Sequence, residues 1–307
     1  MVMTSLNDSP LTVPGNLVPA ISGHHLCSGD RSRFLISDPA QRIARAAEKR
    51  TEVLRFLRDE IWTVTEVVAQ LLGVGYPAAH ALLKGMQRDG VLTSSPLFIA
   101  SLRGARRVVL HGITAQGLAF AWPVDEQARP RRPWEAGKTN ALFVPHQIEV
   151  QLARVRAERA GWTNWLPARQ LMGVGLPKLP DAEAKSPEGI SVGIEVEREI
   201  KTDRRYEAVI GAYVVQMKAD GRWCRIDYLC PNADFARRLA RVFGNLKQLR
   251  LEGKDGQAAK VGEIQQVHLD RFRFYAWDAW PAGDWVTARK NGGAVKVESV
   301  VLPGGSK

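Results

Sequence analysis

The stretch LPDAEAKSPEGISVGIEVEREIKTDRRYEAVIGAY, residues 179–213, decides how the fold is read. It opens with Pro180-Asp181, turns around Gly189, runs apolar over 190–194 into Glu195 and Glu197, and continues as a basic helical segment. Successive strand side chains point to opposite faces, so Glu195 and Glu197 share one face. Ile190, Val192 and Ile194 are too apolar for a surface loop, which predicts a buried strand. A buried strand with two carboxylates on one face must compensate them. A divalent cation does this well, because hard oxygen ligands suit Mg2+ or Mn2+. Asp181 and Glu195 are the candidate metal ligands.

Upstream, PHQIEVQLARVRAERAGW at 145–162 reads as an amphipathic helix. Ile148, Leu152 and Val155 face inward, Glu149 lies in the first turn, and Gly161 ends it. Strands are expected at 162–166, around Pro180-Asp181 and at 190–197. A helix over 202–217 follows, then the alternating strand CRIDYLC at 224–230. Asn232 caps a helix over 233–246, 251–262 reads as a charged loop, 267–277 holds a further strand, and 283–307 is a loose tail. Helix, three strands, helix, strand is an α/β core with a mixed central sheet. That order resembles the restriction-endonuclease-like core of the PD-(D/E)xK nuclease superfamily.

Residues 1–38 are rich in Ser, Pro, Gly and Asn, lack periodicity and read as a mobile arm. From 39 the pattern turns helical, with Ile43, Ala46, Val53, Leu54, Phe56 and Leu57 recurring through RIARAAEKRTEVLRFLRDE. Thr63 to Glu66 resembles a capping box for a second helix over 66–72. Pro77 sits in the first turn of a third helix over 76–88, with Ala79, Leu82, Leu83 and Met86 inward. Short strands at 91–93 and 106–110 complete the order of a winged helix-turn-helix spanning 39–122. Its third helix would present His80, Lys84, Gln87 and Arg88 to the major groove, and its wing Arg103, Arg106 and Arg107 to the backbone. Winged helices also serve as protein-interaction modules; the basic wing favours DNA. PVDEQARPRRPWEAGKTN at 123–140 has no period and reads as the linker to a nuclease-like domain over 141–282.

Over the 307 residues, 43 Lys and Arg face 32 Asp and Glu, a formal charge of +11, which points to a polyanionic partner, double-stranded DNA first. Cys27, Cys224 and Cys230 show no metal-ligand spacing, and a sparse, odd set fits a reducing cytoplasm. An apolar run of about 20 residues is lacking, so membrane insertion is not expected.

A metal-dependent phosphodiesterase needs carboxylates beside the scissile phosphate and a cation to offset transition-state charge. In the superfamily pattern the residue two after the second acid is usually Lys; here it is Glu197, and Lys201 is the nearest substitute. Glu149 would be an auxiliary acid. With the winged helix ahead of His146 and Glu149, Pro180-Asp181 and Glu195-Val196-Glu197, the chain over 40–246 resembles the replication-relaxation family, which includes MobC-type plasmid mobilisation proteins. The resemblance implies acidic metal-site positions at Asp181, Glu195 and Glu197 with Lys201 as basic partner. It also implies action at a plasmid origin beside relaxosome or replication proteins. Tyr206 and Tyr213 follow the acids, and a relaxase that links covalently to DNA uses a tyrosine; the plain alternative packs Tyr213 in the core and leaves Tyr206 in solvent. Arg204 and Arg205 are candidate phosphate contacts. The function expected is origin binding with Mg2+- or Mn2+-dependent nicking. The alternatives are a non-catalytic DNA-binding accessory on a relic nuclease fold, and a restriction-type endonuclease.

Overall fold

A computed structural model describes residues 38–101, 104–173, 175–176, 178–219, 221–252, 258–292 and 296–298. The chain is mixed α and β, and from Ala46 onward it forms one unit. It begins with α1 (Pro39–Glu60), β1 (Trp62–Thr63), α2 (Thr65–Leu72), α3 (Tyr76–Arg88), β2 (Leu92–Ser101), β3 (Gly104–Ile113) and α4 (Ala115–Phe120). Gly73, in the left-handed region at φ 62°, ends α2, and Pro77 starts α3 where a missing N–H costs nothing. Val53, Leu54 and Leu57 of α1 meet Val68, Ala79, Leu83 and Met86 in a core closed by Leu92 and Ile113.

Two expectations change here. The Thr63 to Glu66 capping box is absent: Val64 is the N-cap, and the Thr63 hydroxyl is committed to Gln151 Oε1 at 2.8 Å. The short strands at 91–93 and 106–110 are ten residues each, paired from Leu92–Ile113 out to Ser101–Gly104. Pro96 hid the length of β2, yet β2 is the edge of the β1-β3-β2 sheet, where proline is tolerated.

Residues 123–140 are tied down at Trp134, and also by Arg131 on Gln170 and Glu126 on Arg58. Trp134 is buried, its backbone N–H donates to Ile113 O (2.9 Å), and its ring lies where a Cβ on Gly112 would come within 2.1 Å. The next helix, α5 (Val144–Arg159), serves two neighbours. Gln151 donates to Trp62 O at 2.7 Å, and Arg154 pairs with Glu60, Asp59 and Glu158. Val150, Ala153 and Ala157 face the other way, onto a second sheet.

That sheet is built from β4 (Thr163–Pro167), β5 (Ala182–Lys185), β6 (Ser191–Val196), β7 (Arg225–Cys230), β10 (Phe272–Ala276), β11 (Trp285–Thr287) and β12 (Lys296–Glu298), in the order β12-β11-β10-β7-β6-β5-β4. β6, β7 and β10 run parallel; the remaining neighbours are antiparallel. α6 (Ala168–Leu171), α7 (Asp203–Ala219), α8 (Ala233–Asn245) and α9 (Gln266–Leu269) complete the helices, and β8 (Gln248–Glu252) pairs with β9 (Ala258–Glu263). Strand alternation divides the core: Tyr228 and Phe274 face α7 and α8, while Ile194, Leu229 and Tyr275 face the α5 side.

The charged loop read at 251–262 is instead that hairpin, and it docks on α7, where a Cβ on Gly211 would meet Arg250 O at 2.0 Å. Contact with a helix, not its own polar pattern, holds it as strands. The loose tail read from 283 contains β11 and β12, because Trp285 and Val286 have the two sheet faces to fill. Among the described residues no helix is long and apolar enough to cross a membrane.

Candidate functional site

The acidic residues gather at the carboxyl end of β6, a place where open α/β sheets bind ligands. Ala182 pairs with Ile194, so one step further Asp181 lies opposite Glu195. Asp181 Oδ2 accepts from Val196 N (2.8 Å) and Oδ1 contacts His146 Nε2 (3.0 Å). Glu195 Oε1 is 2.7 Å from Lys178 Nζ and accepts from the Tyr213 hydroxyl. Glu197 Oε2 takes Lys201 Nζ (2.8 Å) and the Tyr206 hydroxyl (3.2 Å). Tyr206 and Tyr213 lie on α7 two turns apart, so Glu195 and Glu197 do share a face, toward that helix.

Their environments separate the carboxylates. Burial pushes the Glu195 carboxyl up, Lys178 pulls it back, and the charge on Asp181 adds to the rise, leaving it above the usual range. Burial also pushes Asp181 up, but the hydrogen bonds and charge of His146, the Val196 N–H and Lys178 outweigh it and hold Asp181 below that range. Burial lowers His146, and Asp181, Glu149 and Glu195 reverse this into a net rise. Paired titratable groups driven apart in this way are a feature of acid–base sites. Glu149 does not reach Asp181: it faces Arg198 at 3.4 Å, and burial raises its carboxyl.

Lys178 escaped sequence reasoning. It belongs to an irregular segment ahead of β5, where no spacing rule applies, and its only cue was KLPD, a lysine three residues before Asp181. Lys201, the expected basic partner of the acidic positions, pairs with Glu197 at 2.8 Å. Tyr206 is buried, not solvent-facing, and Tyr213 is core. Burial and the neighbouring carboxylates raise both phenols, and each hydroxyl donates to a carboxylate.

The N-terminal candidates lie on the opposite kind of surface. Lys84 and Arg88 on α3 are exposed, as are Arg106 and Arg107 on β3; Arg106 is 3.6 Å from Glu66. His80 is half-buried and stacks on Tyr76. Gln87 is engaged by His111 Nδ1 (3.3 Å), whose imidazole burial and His80 lower to about 4. Arg103 lies outside the described residues. Arg204 and Arg205 are exposed in the first turn of α7.

Mg2+ usually binds through one or two carboxylates and keeps several waters. Asp181 and Glu195 fit in chemistry and number, and an ion would replace the Lys178 or His146 contact. Among the described residues no group of three or more His, Cys, Asp or Glu is arranged to hold a metal. Comparison with known proteins returns no match, either among protein families or among curated proteins.

Proposed function

We propose that the chain is a DNA-binding protein of the replication-relaxation type that acts at a plasmid origin in the cytoplasm and nicks DNA with Mg2+ or Mn2+. The observation that carries the reading is the meeting of Asp181, Glu195 and Lys178 at the end of β6. Three helices followed by a long basic hairpin support the winged-helix reading of the N-terminal part, and the mixed sheet with helices on both faces supports the restriction-endonuclease-like reading of the rest. Asp181 and Glu195 would hold the ion, which when bound supplies an activated water and offsets phosphate charge. Asp181, kept ionised by His146, stands ready as a ligand at neutral pH. Lys178 takes the cationic place that Glu197 leaves vacant, within reach of charge developing beside Glu195. His146 fixes the orientation of Asp181 from α5.

A second reading, a DNA-binding accessory without catalysis, is favoured by one observation: the named oxygens of Asp181 and Glu195 already hold protein donors. Supercoiled plasmid incubated with magnesium separates the two. Nicked circles that vanish with EDTA and with Glu195→Gln support the enzyme. A retained gel shift with intact plasmid supports the accessory, and linear product from any DNA bearing a short site indicates a restriction-type enzyme.

A further inference from the structure

A cavity of about 360 Å3 opens beside the acidic centre, between β1, the 133–143 segment and α6. That volume lies near the lower end of ligand pockets, roughly 300–1,000 Å3, and suits one small ligand, not a duplex. Trp62 and Trp134, both buried, line it, and so does Phe143, which is 59% exposed. Asn140 and Gln147 supply amides, and Lys138, held 2.8 Å from Glu135, supplies an exposed ammonium.

Arg169 is the unusual member. Its Nη1 donates to Glu60 O at 2.6 Å, and its buried Nη2 has no hydrogen-bond partner among the described residues. Glu60 and Asp59 lie near this guanidinium, yet its Nη2 hydrogens are unused, and an acceptor would complete them. Burial lowers the guanidinium's affinity for the proton, Glu60 and Asp59 act against this, and Arg154 and Arg131 nearby lower it further. The cavity also adjoins the acidic centre through the chain. Gln147 follows His146, which touches Asp181, and Arg169 follows Ala168, whose N–H donates to Asp181 O at 2.9 Å.

We propose that this cavity takes a single nucleotide, with its base on Phe143 and its phosphate at Arg169 and Lys138. The choice of a nucleotide rests on the DNA-processing reading above; the aromatic lining and the incomplete guanidinium stand without it. One unstacked nucleotide of a strand led past Asp181 would be held there, since every base has a face that stacks on an aromatic ring.

The test uses the full chain in EDTA, so that no metal-bound nucleotide at the acidic centre contributes. Deoxyadenosine monophosphate and deoxyadenosine are titrated by calorimetry and by ligand-observed NMR. Saturable binding of one nucleotide per chain is expected, about tenfold weaker without the phosphate and about tenfold weaker in Phe143→Ala. Lys138→Ala, at an exposed position, should weaken the nucleotide but not the nucleoside. Equal affinity for nucleotide and nucleoside, no effect of Phe143→Ala in a protein that still unfolds cooperatively, or binding that appears only with magnesium each overturn the proposal. Nucleotide binding without plasmid nicking would leave the cavity and remove the nuclease; nicking without nucleotide binding would do the reverse.

Discussion

The charges of the basic hairpin and those at the end of β6 obey different physics. Arg107 on β3 and Lys84 and Arg88 on α3 stand in solvent, where a charge costs little and reaches a distant polyanion. Glu195 and Glu197 are buried, and each is met by a lysine and a tyrosine hydroxyl. A charge without a partner is tolerable in the first setting and expensive in the second. The first suits grip without chemistry; the second fixes protonation states and directions. α5 joins the two, with Arg154 turned to the N-terminal helices and His146 to the acids.

The joint itself gives the largest expected effect. Arg154→Met leaves the buried Glu60 without its ion-pair partner, and should cost about 3–5 kcal/mol in denaturant-measured unfolding. A loss under 1 kcal/mol would mean that α5 does not bind the two regions together. Next, Lys178→Met and Lys201→Met should part company, since only the first removes the cation from Glu195. Nicking rates should fall about a hundredfold in Lys178→Met and stay within a factor of about three in Lys201→Met. The opposite ranking would return the cationic role to the residue that sequence spacing favoured.

On the exposed side, Arg107→Ala should weaken DNA binding about equally for all sequences and lower the slope of log K against log salt by roughly 1. An unchanged slope would take the hairpin off the phosphate backbone. The smallest effect concerns pH. His146 is raised in the fold, so its contribution is full below about 6.5 and fades as pH climbs through the raised value. Asp181 is lowered, so its contribution is present above about 3.9 and fades as pH falls through the lowered value. The stability difference between the parent and His146→Gln should therefore peak between those limits. It should stay within about 1 kcal/mol, because His146 is about a third exposed. A difference that grows above pH 8 would exclude the ion pair.

Residue pattern alone brought out much of this arrangement. Period two put Glu195 and Glu197 on one face, and both do turn to α7. Helical periodicity and Pro77 located α3, and Asn232 marks the start of α8, where its side chain accepts from Phe235 N at 2.9 Å. The failures share a cause: β8 and β9 are polar strands that exist because α7 covers them at Gly211, and β11 is short and follows a turn-rich segment. No local pattern announces a strand whose stability comes from a neighbour distant in sequence.

What the sequence determined by itself is therefore whatever depends on near neighbours: helix faces, caps, strand alternation and the surplus of positive charge. Which lysine meets which glutamate was decided only by the fold. Lys178 comes to Glu195 across an irregular segment, through β-pairing that sets Asp181 opposite Glu195, and Lys201 meets Glu197 four residues away. Ion pairs form between atoms close in space, and distance along the chain says little about that once a strand has folded back on its neighbour.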